Sequence, residues 1–144
     1  MTKAQDRRYA RELVLMALYA RECSGEPCNK IITDLKNTFE IETDVEDYVK
    51  KLFTITVEHQ SWATDEIISR LENWDYERIA LIDRLVLQIM IVEMQYMKNV
   101  PPKVSITEGV EIAKKYSTAE SGGFVNGILD SFYHSLSNQK GNNK

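Results

Sequence analysis

The sequence predicts an all-α fold on three observations. Its 144 residues suit one domain that can bury a core, and a composition of 43% hydrophobic and 28% charged residues is that of a globular protein. Only six glycines and three prolines are present, which favours helices over a turn-rich β fold. Apolar residues recur at the three- and four-residue spacing of a buried helical face, and no alternating run requires a sheet. The start and stop signals predict six or seven helices.

Four helices are predicted in the N-terminal half. Gly25 and Pro27 separate the first two, because glycine favours a helix stop and proline cannot continue a helix. Thr43 and Glu46 have the spacing of a capping box, which predicts the start of the third helix. The predicted helices cover about residues 4–21, 29–39, 43–59 and 61–71.

Three helices are predicted in the C-terminal half, over about residues 75–97, 103–116 and 117–136. The first of them is apolar nearly all round, so we expect it at the centre of the fold. Pro102 suits the first turn of the second, where Gly109 costs about 1 kcal/mol relative to alanine. Ser117 and Glu120 have the spacing of another capping box, which begins the last helix.

Membrane, secretory and metal-binding segments are not predicted. No run of 18 apolar residues is free of charge and the N-terminus has no apolar signal core, so we expect a cytoplasmic protein without membrane contact. Cys23 and Cys28 lack companion ligands, because His59 and His134 lie far from them in sequence. We therefore expect free thiols and neither a metal nor a cofactor.

Catalytic activity is not predicted either. Neither histidine has an adjacent serine, cysteine or acid in a catalytic arrangement. Gly122, Gly123 and Gly127 do not form a phosphate-binding loop, since no strand precedes them. Glu93, alone in an apolar stretch, is either a catalytic acid or one half of a structural ion pair. We favour the ion pair, because a single carboxylate without a partner rarely makes a site.

Basic side chains concentrate at the start of the first helix. Lys3, Arg7, Arg8 and Arg11 lie there, although the net charge is −4 and residues 40–47 are acidic. Arg7 and Arg11 share a helical face with Arg8 beside them, so their planar guanidinium groups can reach successive phosphates. The alternative is a solvated helix start, and the residues alone leave both interpretations open.

Two further places depart from the apolar faces. Phe124 lies about 100° from the centre of the last helix's apolar face. It is either a flank of the core or an exposed aromatic that stacks on a base or anchors a partner. Asp83 and Arg84 interrupt the central helix, either as an exposed strip or as an internal ion pair.

Four segments of the chain resemble the NusB family, in the family's order and over nearly the whole length. One segment alone is weak evidence, whereas four in order are highly specific. The segments are RRYARE and ALY at residues 7–12 and 17–19, RIALIDR through EM at 78–94, VPPKVSI and its continuation at 100–114, and FVNGILD with the preceding serine at 121–130.

The resemblance implies two small packed helical bundles within a single domain, 1–144. The N-terminal subdomain would cover about residues 1–73 and the C-terminal one about 74–137, while the polar tail at 138–144 is expected to fray. The implied function is transcription antitermination. Such a protein binds the boxA element of ribosomal-RNA transcripts with NusE, a small-subunit ribosomal protein, and joins RNA polymerase with other Nus factors.

Site residues are carried over from the family by position. Those implied to bind RNA are Lys3, Arg7, Arg8, Arg11, Phe124 and Asn126. Those implied to bind the partner are Tyr19, Asp83, Glu120 and Phe124.

Other interpretations compete with this one. The RNA-targeting domain fused to some ribosomal-RNA methyltransferases is similar, but no catalytic domain follows residue 144, so a methyltransferase is not expected. A helical scaffold that never touches RNA is a further possibility. Tyr19 is alternatively a core aromatic, and Glu120 a helix cap. Thr107 and Gly109 replace the asparagine and alanine more usual in the family, which predicts slightly lower helix stability.

Overall fold

The computed structural model describes residues 2–142, with side chains described as far as residue 138. Over these residues the chain forms seven α-helices and no strand, so the predicted all-α class is confirmed. The helices are α1 (Lys3–Ser24), α2 (Cys28–Thr38), α3 (Thr43–Glu58), α4 (Gln60–Ile68), α5 (Leu81–Tyr96), α6 (Pro102–Tyr116) and α7 (Ser121–Asn142).

Local signals set both ends of α1. Gly25 adopts a left-handed backbone with φ of 70°, and its amide donates to the Arg21 carbonyl, which confirms the predicted stop. At the other end, Thr2 and Gln5 form a capping box in which each side chain accepts from the other residue's amide. This box was not among the predicted helix starts.

The capping box predicted at Thr43 and Glu46 is wrong, although α3 does begin at Thr43. The N-cap is Glu42, which makes no side-chain cap hydrogen bond. Glu46 instead accepts from Lys36 of α2 and Lys50 of α3, each at 2.9 Å. These two ammonium groups lower the pKa of the Glu46 carboxyl through hydrogen bonds and charge. The Glu46 carboxylate is therefore paired with lysines of α2 and α3 and takes no part in capping α3.

The central helix begins later than predicted. A short 3-10 helix, Tyr76–Arg78, replaces its expected first turn, and Ile79 and Ala80 have extended backbone before α5 starts at Leu81. The chain changes direction here and buries the Ile79 side chain in the core. From residue 85 to residue 94 every side chain of α5 is buried, which confirms its predicted central position.

Helix α5 joins two groups of helices. In the first, α1 packs along α3 and α2 lies against α1; in the second, α6 and α7 pack along each other. Helix α5 contacts α1, α3 and α4 on one side and α6 and α7 on the other. The subdomain boundary near residue 73 stays a prediction, although a left-handed turn does occur there, at Asn73 with φ of 63°.

The last helix is longer than predicted, because α7 continues through Asn142. Of the tail expected to fray, Asn143 and Lys144 lie outside the described residues. In the part of the chain that the structure covers, no helix combines the length and apolarity needed to span a bilayer.

Candidate nucleic-acid interface

The four basic side chains at the start of α1 have different environments. Lys3 is exposed and Arg7 is partly buried, while the Arg8 side chain is 51% exposed. Arg11, one turn further along, is only 2% exposed. The first turns of α1 therefore present three cations to solvent, not the four that were predicted.

Arg11 differs from the other three cations in its surroundings, and its role in RNA binding stays a prediction. Its Nε donates to Glu93 Oε2 at 2.8 Å inside the protein. Burial would lower the pKa of Arg11, but the hydrogen bond and charge of Glu93 outweigh it and the pKa is raised. The side chain is therefore almost wholly buried, and its guanidinium is held by Glu93. The ion pair predicted for Glu93 is confirmed.

Glu93 is the centre of a buried polar network that joins four helices. Tyr48 of α3 donates to Oε2 at 2.7 Å, and Ser105 of α6 donates to Oε1 at 2.6 Å. Burial, together with Glu93, raises the pKa of the Tyr48 phenol. Because Arg11 belongs to α1 and Glu93 to α5, the network fixes the basic start of α1 against the central helix.

Arg7 lies above this network, at the surface. Its guanidinium carbon is 4.1 Å from the centroid of the Tyr48 ring, a cation–π distance. Arg7 and Lys3 line a hollow of about 590 Å³ between α1 and α3, whose other wall carries Asp44 and Asp47. The cations of the hollow can bind phosphates, and its carboxylates can accept hydrogen bonds from the amino groups of bases.

Arg8 is held from the other side, by α6. Its Nε and Nη2 donate to the two carboxylate oxygens of Glu108, at 2.7 and 2.9 Å. One turn along, Glu12 accepts from Lys115 at 3.1 Å and from the Tyr116 hydroxyl at 2.8 Å. These contacts connect α1 to α6 along its surface edge.

A second candidate surface lies where α5 meets the start of α7. It is a groove of about 280 Å³ that brings together Asp83, Glu120 and Phe124, three of the four predicted partner residues. Phe124 is partly buried against the core and lines the groove, so it is both a flank of the core and an accessible aromatic. Trp74, 63% exposed, also lines it and was missed. A tryptophan in the polar turn before residue 76 was the available signal.

Asp83 is the most unusual group in this groove. It is 7% exposed, and its Oδ2 accepts from Ser121 Oγ at 2.9 Å. Its Oδ1 is buried and has no hydrogen-bond partner among the described residues. Neither an exposed strip nor an ion pair with Arg84 describes this side chain. A buried acceptor without a donor favours a ligand that brings an N–H or O–H group.

The capping box predicted at Ser117 and Glu120 is also wrong, by one residue. The Thr118 hydroxyl accepts from the Ser121 amide at 3.2 Å, and the Ser121 hydroxyl accepts from the Thr118 amide at 3.3 Å. Glu120 is exposed and takes no part in this exchange, which leaves its carboxylate on the surface at the rim of the groove.

The remaining predicted residues lie outside this groove. Tyr19 is 44% exposed and lines a separate hollow between α1 and α2, so it is not the core aromatic of the structural alternative. Asn126 is exposed on α7, two residues beyond Phe124.

Within the described residues no group of three or more histidine, cysteine or acidic side chains is placed to hold a metal. Cys23 and Cys28 are free thiols.

The fold and these surfaces define an all-α protein that carries a basic helix start and an acidic, aromatic-lined groove. The NusB family profile matches residues 8–134. The chain belongs to the NusB family.

Similar proteins extend over most of the chain. The transcription antitermination protein NusB of Methylacidiphilum infernorum is 40% identical over 126 residues, 87% of this chain and 88% of that protein. The one of Chloroherpeton thalassium is 37% identical over 131 residues, 90% of this chain but only 62% of the relative's own length. A solved structure of antitermination factors NusB and NusE in complex with dsRNA matches with a TM-score of 0.81 at 25% identity, covering 91% of this chain and 98% of that chain.

Proposed function

We propose that this protein is a transcription antitermination factor. It binds boxA RNA of ribosomal-RNA transcripts together with NusE and brings both to RNA polymerase and the other Nus factors. The observation that carries the proposal is the exposed basic start of α1 in a chain of the NusB family. The proposal includes a cytoplasmic location, where such transcripts are made, and an adaptor role without catalysis.

The RNA contacts are assigned to the surface cations of α1. Lys3, Arg7 and Arg8 lie within two turns of one helix, so they can follow a single strand of phosphates. Arg11 lies below them and acts as a positioning residue, because its pair with Glu93 fixes the helix that carries them. On a protein with a net charge of −4, three cations bind RNA only weakly.

The partner contacts are assigned to the groove beside α7 and to Tyr19. The carboxylates of Asp83 and Glu120 accept hydrogen bonds, which suits the basic side chains of a ribosomal protein or the amino groups of a base. Phe124 supplies an aromatic face for either ligand, with Asn126 exposed nearby. Tyr19 lies on a separate face, so NusE would have to contact two places.

Binding of the two ligands is coupled in this proposal. NusE adds positive charge and contact area to an RNA site that is weak alone, so the pair binds boxA more tightly than either protein does. By linkage, RNA must strengthen the binding of NusE by the same factor.

The test separates the two surfaces with variants. Lys3→Gln with Arg7→Gln should weaken boxA binding by about tenfold or more and leave NusE binding unchanged, whereas Lys50→Gln on α3, outside both surfaces, should change neither. Glu120→Gln should weaken NusE binding, while Asp130→Asn, at an exposed acid nearly three turns into α7, should not. Fluorescence anisotropy measures the RNA and calorimetry the protein pair. Unchanged RNA affinity in the α1 variant would rule out this RNA face.

A further inference from the structure

We propose that Glu108 is an internal competitor for RNA: its carboxylate occupies the guanidinium of Arg8 and thereby sets how readily this face accepts a phosphate. The inference rests on the proposed function, since it concerns the RNA face of α1. It adds a residue of α6 that determines the affinity of that face.

The geometry of the pair is that of a phosphate contact. Arg8 donates through Nε and Nη2 to both oxygens of Glu108, at 2.7 and 2.9 Å. A planar guanidinium presents the same two-point fork to a carboxylate and to a phosphate. The two ligands therefore compete for the same N–H groups, and Arg8 cannot give this fork to RNA while it holds Glu108.

Glu108 is also placed to act on the neighbouring cations. With Lys3, Arg7 and Arg11 it lines a hollow of about 180 Å³ between α1 and α6, so its negative charge lies on the basic face itself. Its side chain is only 12% exposed, against 51% for Arg8. The carboxylate is therefore fixed on α6, and Arg8 is the partner that has to move when a phosphate arrives.

A second glutamate on α6 shows that the position of the carboxylate, and not its charge alone, determines whether it binds Arg8. Glu111 is three residues further along and its side chain is 51% exposed. Its nearest cation is Lys114, at 3.8 Å, whereas Glu108 holds Arg8 by two short hydrogen bonds. The pKa of Arg8 is raised chiefly by its hydrogen bond to Glu108 and only weakly by the charge of Glu111.

The consequence is a lower affinity for every RNA that uses Arg8. A phosphate must displace the Glu108 carboxylate before it gains the guanidinium fork. The free energy of opening the pair is subtracted from the binding of a random RNA and of an RNA that is also held through its bases or through NusE. Glu108 thus sets the contribution that Arg8 makes to RNA binding.

The experiment measures boxA RNA and a scrambled RNA of equal length against four proteins, in the presence of NusE. They are the wild type, Glu108→Gln, Arg8→Ala and the double variant. Glu108→Gln should tighten binding of both RNAs by about two- to fivefold, the factor that corresponds to one surface ion pair. The gain should disappear in the Arg8→Ala background, because the competitor then has no target. Thermal melts verify that each variant is folded.

Glu111→Gln is the matched control, since it removes an equal charge from the same helix. A smaller gain there than in Glu108→Gln supports the specific competition. An equal gain in the two variants, or a gain that persists without Arg8, would overturn the inference while leaving the proposed function intact. Failure of the wild type itself to bind boxA would instead remove the proposed function, and this inference with it.

Discussion

Two arginines of α1, three residues apart, show how position determines the role of the same side chain. Arg8 faces the rim of α6 and meets a carboxylate at the surface, whereas Arg11 points inward and meets Glu93. The buried pair needs the hydrogen bonds of Tyr48 and Ser105 to satisfy the remaining capacity of the carboxylate. Only the surface arginine is therefore free to exchange partners.

Removal of one member of the buried pair should lower the free energy of unfolding much more than removal of both charges. Arg11→Met leaves Glu93 charged and without its counter-ion, and should lower the free energy of unfolding by about 3–5 kcal/mol. Adding Glu93→Gln removes that charge and keeps an acceptor for Tyr48, so the double variant should recover part of the loss. Urea denaturation measures both. Equal destabilisation of the single and double variants would show that the pair contributes through packing alone.

At this scale the sequence predicted the kind of interaction but not the partner. A lone carboxylate in the apolar stretch around Glu93 indicates an ion pair, because an unpaired buried charge is too costly. Its partner, Arg11, is 82 residues away. The helical period placed Arg11 on the same face as Arg7, and only the packing of α1 on α5 reveals that this face continues into the core.

Among the helices, α6 is positioned by close contact with its neighbours at Gly109. A methyl group there would lie 2.8 Å from Met90 Cγ on α5 and 3.0 Å from Leu129 Cδ1 on α7. The sequence suggested only that Gly109 lowers helix propensity. In the structure the glycine also allows α6 to approach both helices closely. Ser105 and Glu108 lie on the same helix, within four residues of Gly109.

Alanine substitutions at two helical glycines should have opposite effects. Gly109→Ala gains helix propensity but overpacks the contact with Met90, which is fully buried, and should destabilise the protein by about 1–2 kcal/mol. Gly127→Ala meets no atom within 4 Å and should stabilise it by up to about 1 kcal/mol. Thermal melts of the two variants compare them. A stability gain at Gly109 would contradict the proposed close approach.

Helix ends were harder to predict than helices. Two sequence patterns with capping-box spacing do not act as such boxes, because Glu46 pairs with lysines and Glu120 remains exposed. The boxes that do form, at Thr2 with Gln5 and Thr118 with Ser121, involve side chains that compete with many similar ones in the sequence. A four-residue pattern does not show at which residue the helix starts, and therefore not which hydroxyl caps it.

In the molecule as a whole, two surfaces are connected through the central helix. The basic start of α1 is fixed to α5 by Glu93, and the groove at α7 is fixed to α5 by the hydrogen bond between Asp83 and Ser121. The class of fold and the basic start of α1 could be predicted from the sequence. The grouping of Asp83 with Phe124 beside Trp74, and the separation of Tyr19 from them, needed the packing of α5 on α7.

The central claim is joint recognition of RNA with a protein partner, and one titration tests it most directly. Labelled boxA RNA is titrated with this protein, with and without purified NusE, at two salt concentrations. We expect NusE to tighten binding by about tenfold or more. Higher salt should weaken binding, and the logarithm of the binding constant should fall against the logarithm of the salt concentration with a slope of about 0.7 for each phosphate contact. Absence of boxA binding under every condition, with the protein folded by circular dichroism, would contradict the account and favour a helical scaffold that does not touch RNA.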